Sequence, residues 1–372
     1  MYHDDNNNIQ PQYSSSNKRD SVARRICRAE VIIPILLFTT ILLAGFMAMG
    51  ESLKTASYLR YSTVTGYFLQ DEESTDPTKF DYVSTNFGLI NRTYDSDIND
   101  FDATQWQRFE RQVRALNRHA APGTQYKVLF MGRHGEGFHN VAESWYGTEA
   151  WDCYWSLLDG NETTSWSDAR LTPVGQTQAQ TANQAWRTQL KNQIPFPESF
   201  YVSPLNRCLQ TAFITFDGLV EPFRPVVKEL LRETIGIHTC DRRSSKSAIS
   251  AEYPAYKIEP GFSENDELWD AELRESDSAQ DARLKKFLDD VFVHDDSQFV
   301  SFTAHSGAIT SVLQVVGHRQ FGLQTGGVIP VLVKAERVAG EEPERKIEPP
   351  TRKPECKGDP LKAGGSIRML LN

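Results

Sequence analysis

Short apolar runs alternate with amphipathic stretches through the middle of the chain, and their spacing predicts strands and helices in turn. Tyr126 to Met131 is long enough for a buried strand and too short for a helix. Tyr201-Val202, Arg224 to Glu229, Gln298 to Thr303 and Gly327 to Val338 supply further strands. Phe101 to His119 carries Trp106, Phe109, Val113 and Leu116 at helical spacing, which predicts an amphipathic helix packed on the sheet. Thr172 followed by Pro173 marks another helix start, and Ala179, Ala182, Ala185 and Trp186 then face one side. Ser276 to Val293 and the apolar Ala308 to Val316 complete the helical set. This alternation predicts an α/β fold, a three-layer α/β/α sandwich around a mostly parallel sheet.

The flanks follow other patterns. Residues 1–30 begin rich in Asn, Asp, Gln and Ser and end in the basic cluster Lys18, Arg19, Arg24, Arg25 and Arg28, the composition of a disordered cytosolic tail. Val31 to Met49 contains no charge and is long enough to cross a bilayer, so residues 31–50 are expected to form one transmembrane signal anchor preceding the fold. Basic residues before the span favour a single-pass type II orientation, with the catalytic part lumenal or extracellular. The sequons at Asn91 and Asn161 agree with that side. A cleaved signal peptide ending near Gly50 is the rival reading. Residues 51–100 read as a stalk that becomes ordered on the domain surface, 101–338 as the catalytic domain, and 339–372, dense in Glu, Pro, Lys and Arg, as a disordered tail.

Candidate chemistry sits at the predicted strand ends, where an open α/β sheet gathers its ligands. Arg133-His134-Gly135 follows the first strand, Ser203-Pro204 with Arg207 the second, Leu231-Arg232-Glu233 the third, and His305-Ser306-Gly307 the fourth. An arginine fork holds phosphate oxygens, and a neutral imidazole beside it can attack phosphorus. The net charge of −9 argues against nucleic acid or acidic lipid as a partner, since such ligands need a cationic surface. An acidic rim also disfavours highly charged polyphosphates unless basic residues line the mouth; Arg242, Arg243 and Lys246 are candidates for that.

These blocks, extended to Arg133-His134-Gly135-Glu136-Gly137-Phe138-His139-Asn140 and His238-Thr239-Cys240-Asp241-Arg242-Arg243, resemble the histidine phosphatase superfamily, also called phosphoglycerate-mutase-like. More narrowly they resemble its fungal phosphomutase-like proteins, over roughly Gln125 to Val338. The resemblance implies that His134 becomes a phosphohistidine. It further implies that Arg133, Arg207 and His305 hold the transferring phosphoryl group, that Asn140 helps orient it, and that Glu233 protonates the leaving oxygen. Glu229 and Glu136 are alternatives for that last role. Glu136, Phe138 and Ser306 depart from the acid phosphatase pattern and favour the mutase-like branch. The substrate class implied is a phosphorylated small molecule, with no metal and no organic cofactor. Hydrolysis is the expected reaction; phosphoglycerate-mutase-type transfer and a non-catalytic membrane scaffold are the alternatives.

Two further expectations concern the same region. The tryptophan-rich stretch Glu143 to Trp166 falls between the nucleophile strand and the next helix, and is expected to cover the pocket, either gripping substrate or burying its rings against the domain. Of the five cysteines, Cys153 and Cys240 are candidates to pair in an oxidising lumen, with free thiols the reading preferred; Cys27 is a candidate for palmitoylation.

Overall fold

The computed structural model of the chain describes residues 56–97 and 102–362. The expected cytosolic tail, the span 31–50 and Cys27 lie outside them. Among the described residues no helix is long and apolar enough to cross a membrane.

Seven strands form one mixed sheet in the order β1-β7-β2-β6-β3-β4-β5. They are β1 (Ser57–Thr63), β2 (Thr124–Arg133), β3 (Ser199–Val202), β4 (Val226–Val227), β5 (Lys257–Ile258), β6 (Phe299–Ala304) and β7 (Val328–Ala339). The pairs β2/β6, β6/β3, β3/β4 and β4/β5 are parallel, and β7 runs antiparallel to both β1 and β2. Side chains of β2 alternate between faces, as the pleat requires. Val128 and Phe130 enter one core with Trp106, Phe109, Val113 and Trp186, while Leu129 and Met131 enter another with Leu284, Phe287, Leu288, Val291, Ile309 and Val312. Helices α1 (Gln105–Arg118) and α4 (Pro173–Lys191) therefore cover the first face, and α7 (Asp277–His294) and α8 (Ser306–Val315) the second.

Four further helices lie between the strands. They are α2 (Phe138–Tyr146) and α3 (Thr148–Cys153) after β2, α5 (Asn206–Phe216) after β3, and α6 (Lys246–Glu252) ahead of β5. Three helices start as local sequence dictates: Thr104, Thr172 and Ser276 each accept a hydrogen bond from the amide three residues on.

Both flanks of the expected domain require correction. Residues 56–97 are no stalk, because Ser57–Thr63 pairs along β7 as the edge strand, and Phe68, Phe87 and Leu89 are buried in the same core as Trp106 and Trp186. After β7 the chain is tied down rather than left as a disordered tail. Thr351 exchanges both backbone hydrogen bonds with Arg274, at 2.8 and 2.9 Å. The Glu348 carbonyl accepts from Ser276 Oγ, and Trp155 Nε1 donates to the Pro360 carbonyl. Cys356 forms a disulfide with Cys153, with Cα atoms 5.3 Å apart. That corrects the cysteine expectation: Cys153 pairs with Cys356, while Cys240 and Cys208 are buried free thiols.

Candidate active site

The register of the central strands gathers the candidate chemistry at the carboxyl ends of the parallel strands. Arg133 stands opposite Ala304, and Val202 opposite Thr303. The ladder continues one residue further, since His134 N donates to the Ala304 carbonyl and Ser203 N to the Thr303 carbonyl. His134, Ser203 and His305 are thereby fixed as the first residues beyond three adjacent parallel strands. The His134 and His305 rings meet edge to face with centroids 5.2 Å apart.

His134 is 2 % exposed, and its Nδ1 lies 2.7 Å from the Gly135 carbonyl oxygen. A carbonyl only accepts, so Nδ1 carries the proton and Nε2 keeps the lone pair. Burial, then the charges of Arg207 and Arg133, hold this imidazole well below its ordinary range, which keeps it neutral and nucleophilic. The loop that follows packs too closely for a side chain at Gly135. A Cβ there would lie 2.3 Å from the Gly175 carbonyl oxygen in the first turn of α4.

Arg207, in the first turn of α5, is 1 % exposed. Its Nε donates to His305 Nδ1 (3.2 Å), Nη1 to the Cys240 carbonyl (2.6 Å) and Nη2 to Asp241 Oδ1 (2.8 Å). A guanidinium has five N–H groups, so this locked fork still has donors to offer a ligand. Burial alone would raise the Asp241 carboxyl, but Arg207 and Arg274 hold it below the usual carboxylate range. Arg133 is fixed by Nη1 donating to the Leu323 carbonyl (2.6 Å).

The cavity in front of His134 has a volume of about 530 Å³. Arg133, Asn140, Arg207 and Glu233 are on its wall. Asn140 Oδ1 accepts from Gly137 N at 2.9 Å, which leaves the amide NH2 as the group it offers. Glu233 is held by Thr234 N (3.0 Å), Gly307 N (3.0 Å) and Gln280 Nε2 (3.4 Å). The other carboxylates weighed for its role lie elsewhere. Glu229 is paired with Arg232 and Arg243, and Glu136 accepts from Thr172 Oγ1.

His305 differs from expectation. It is fully buried, and Ser306 rather than His305 stands on the cavity wall. Arg207 Nε occupies its Nδ1, so Nε2 carries the proton and donates to Ser203 Oγ at 2.7 Å. In this arrangement the His305 ring is turned to Arg207 and Ser203 and not to the cavity.

His139 was quoted within the matching block without a role, yet it lines the cavity at 8 % exposure. Its Nδ1 and the Nε of Arg133 are buried without a hydrogen-bond partner among the described residues. Buried polar atoms are rarely left unpaired, so two of them beside His134 suit a site completed by an anionic ligand. The only signal in the sequence was the position of His139, five residues after His134.

One other expectation is corrected here. Arg242 pairs with Asp159 and Arg243 is buried against Glu229, so the basic run does not line the mouth; Arg274, Arg352 and Lys353 do. Among the tryptophans of the rich stretch, Trp151 reaches the wall, while Trp166 is buried and Trp155 stacks on Tyr146 with centroids 3.9 Å apart. The stretch is a small core of its own that borders the cavity.

One group has metal-ligand residue types. His238, Cys240 and Asp241 bring ligand atoms within 4.8 Å of one another. Asp241 is already shared by Arg207 and Arg274, and burial pushes the Cys240 thiol well up, so this set lacks the anionic donors that a cation needs.

A strand-end His134, a buried arginine fork and a carboxylate around one cavity define a phosphoryl-handling enzyme. The chain belongs to the histidine phosphatase superfamily, whose branch 1 matches residues 153–324. It is 56% identical over 324 residues to a probable phosphoglycerate mutase of Arthroderma benhamiae, covering 84% of this chain and 96% of that protein. It is 36% identical to phosphomutase-like protein 3 of Candida albicans, covering 76% and 82%. It is 33% identical to a probable phosphoglycerate mutase of Saccharomyces cerevisiae, covering 73% and 95%. Membership supports phosphatase or mutase-type activity on phosphorylated small molecules.

The electrostatics give a pH dependence for stability. Burial first, then Arg207, keeps His134, His139 and His305 neutral well below pH 6.5 in the native state. Burial and then Arg274 push His238 down to about 4. Below about 6.5 the unfolded chain binds protons that the native state refuses, so stability must fall as pH falls. The three deeply buried histidines alone allow a slope of up to about 4 kcal/mol per pH unit. Glu143 and Asp152, raised by burial, act with the opposite sign above their ordinary carboxylate values. Thermal melts between pH 7 and 5.5 should therefore show a steadily falling Tm; a flat or rising Tm would contradict the neutral histidine cluster.

Proposed function

We propose that this chain hydrolyses phosphomonoesters through a phosphohistidine at His134 Nε2. The observation that carries the reading is the fixed tautomer of His134: its proton is held on Nδ1 by Gly135, and its lone pair belongs to a wall shared with Arg133, Asn140 and Arg207. In the first step a bond forms from Nε2 to phosphorus while the ester P–O bond breaks. Glu233, in its protonated form, gives its proton to the leaving oxygen. Charge on the equatorial oxygens is met by Arg133, Arg207 and the Asn140 amide, which are already in place and need no reorganisation. In the second step water attacks phosphorus, Glu233 takes the proton, and the N–P bond breaks to release phosphate.

Transfer to a second bound hydroxyl is the alternative that the names of the relatives suggest. It needs a phosphoenzyme shielded from water, whereas the cavity wall includes the exposed Arg352 and Lys353. Incubation with a 32P-labelled phosphomonoester, with and without a sugar-acid acceptor, separates the two. Hydrolysis predicts label in inorganic phosphate at a rate that the acceptor does not divert. Label accumulating on the acceptor would make the chain a mutase.

The same reading places the catalytic part on the lumenal or extracellular side of a membrane, anchored by residues 31–50. The uncharged run with its basic flank supports this, and the Cys153–Cys356 disulfide suits an oxidising compartment. Asn91 and Asn161 are both exposed, as acceptors for glycans must be.

A further inference from the structure

The segment after β7 reaches the wall of the cavity. At Thr351 it is bonded to Arg274 through two backbone hydrogen bonds. Five residues later, Cys356 ties it covalently to Cys153, the last residue of α3 on the other side. Between these two anchors, Thr351 to Pro354 form part of the cavity wall. A strap fixed at both ends holds its side chains near one place at little further cost in entropy.

That strap brings Arg352 and Lys353 to the same cavity as Arg274. Arg352 is paired only loosely, 3.8 Å from Glu272 with both side chains over 70 % exposed. Such a pair contributes little and is readily exchanged for another anion. Arg274 is partly committed, to Asp241 at 3.4 Å and to the Gly236 carbonyl. The facing carboxylates Glu143 and Asp152 are both pushed upward by burial, so their negative charge is the weaker opposition. Arg133 and Arg207 serve the inner phosphoryl position. The outer cations have no partner in that chemistry.

We propose that the strap builds a second anion subsite from Arg274, Arg352 and Lys353, and that the preferred substrate is a phosphomonoester with a second anionic group at its far end. This rests on the phosphoryl role of the inner site. It also meets the condition set by the acidic surface: cations do line the mouth, but they come from the residues after β7 and not from Arg242 or Arg243.

The test uses the full chain with His134→Ala to prevent turnover, and measures binding by calorimetry at low salt. Three probes share a six-carbon skeleton with a phosphate on C6: glucose 6-phosphate, 6-phosphogluconate and fructose 1,6-bisphosphate. The subsite predicts that at least one of the two doubly anionic probes binds about tenfold or more tightly than glucose 6-phosphate. Which of them does so tells whether the outer group is a carboxylate or a phosphate. That ratio should fall at least fivefold on adding Arg352→Ala with Lys353→Ala, and also on adding Cys356→Ser, which frees the strap without removing a cation. A ratio near one in the parent protein, or a ratio that survives the paired substitution, overturns the subsite while leaving the inner site intact. Failure of all three probes to bind overturns the phosphoryl reading and this one with it.

Discussion

His134→Ala is expected to lower kcat on a phosphomonoester by on the order of 10⁴-fold or more, with the protein still folded and its thermal midpoint no lower than that of the parent. Removing a nucleophile that acts as part of a unit costs nearly the whole catalytic effect, as in other covalent mechanisms. The stability half of the expectation follows from the environment of the ring. Among the described residues the ring's one hydrogen bond is to the neighbouring Gly135 carbonyl, and its neighbours include two arginines that disfavour its protonation. Alanine leaves a space beside the cavity, not a buried unpaired charge. Loss of activity through unfolding, read by circular dichroism, would contradict this division of roles.

Arg207→Ala should do the reverse damage as well, losing both activity and about 3–5 kcal/mol of stability. Three of its donors are committed inside the protein, to His305, the Cys240 carbonyl and Asp241. Their loss leaves Asp241, 4 % exposed as a side chain, with Arg274 as its remaining cation at 3.4 Å. The sign with pH is fixed. In the parent, Asp241 titrates below its unfolded value despite burial, so its contribution is present above about pH 4 and is lost as pH falls through the folded value. In the variant, burial dominates and the folded value rises. The stability gap between parent and variant should therefore widen as pH increases from 3.5 to 7. A gap that is constant with pH would mean that the Arg207–Asp241 pair does not set the energetics. Arg207→Lys should not rescue, because a single ammonium cannot reach all three partners in the fork geometry.

How far the sequence carried the account depends on what holds each part together. The inner site was legible because its residues stand at fixed offsets from apolar strands, and parallel register then brings their ends together. Arg133, His134, Arg207 and Glu233 come to one wall for that reason, whereas Asn140, seven residues past the end of β2, was named through the family resemblance. The His305 ring was placed correctly beside His134, but its hydrogen bonds to Arg207 and Ser203 depend on side-chain orientation, which spacing does not carry. Residues 56–97 were misread because Ser57–Thr63 is a partly exposed edge strand with weak alternation, and the acidic breakers after it mask the buried Phe68, Phe87 and Leu89. The residues after β7 were misread for a different reason. Their composition cannot bury an apolar core, and it does not need to. A disulfide spanning 203 residues and a few hydrogen bonds to loops hold them instead.

The central claim is that phosphate passes through a covalent bond to His134. The most direct measurement is rapid mixing of the full chain with a 32P-labelled phosphomonoester, an alkaline quench within milliseconds to seconds, and peptide mapping of the label. The account predicts alkali-stable, acid-labile label on the peptide holding His134, absent in His134→Ala; with a p-nitrophenyl ester, whose leaving group needs no acid, the label accumulates in Glu233→Gln, where the step with water lacks its base. Free phosphate released at full rate by His134→Ala, or label that maps to another residue, would contradict it.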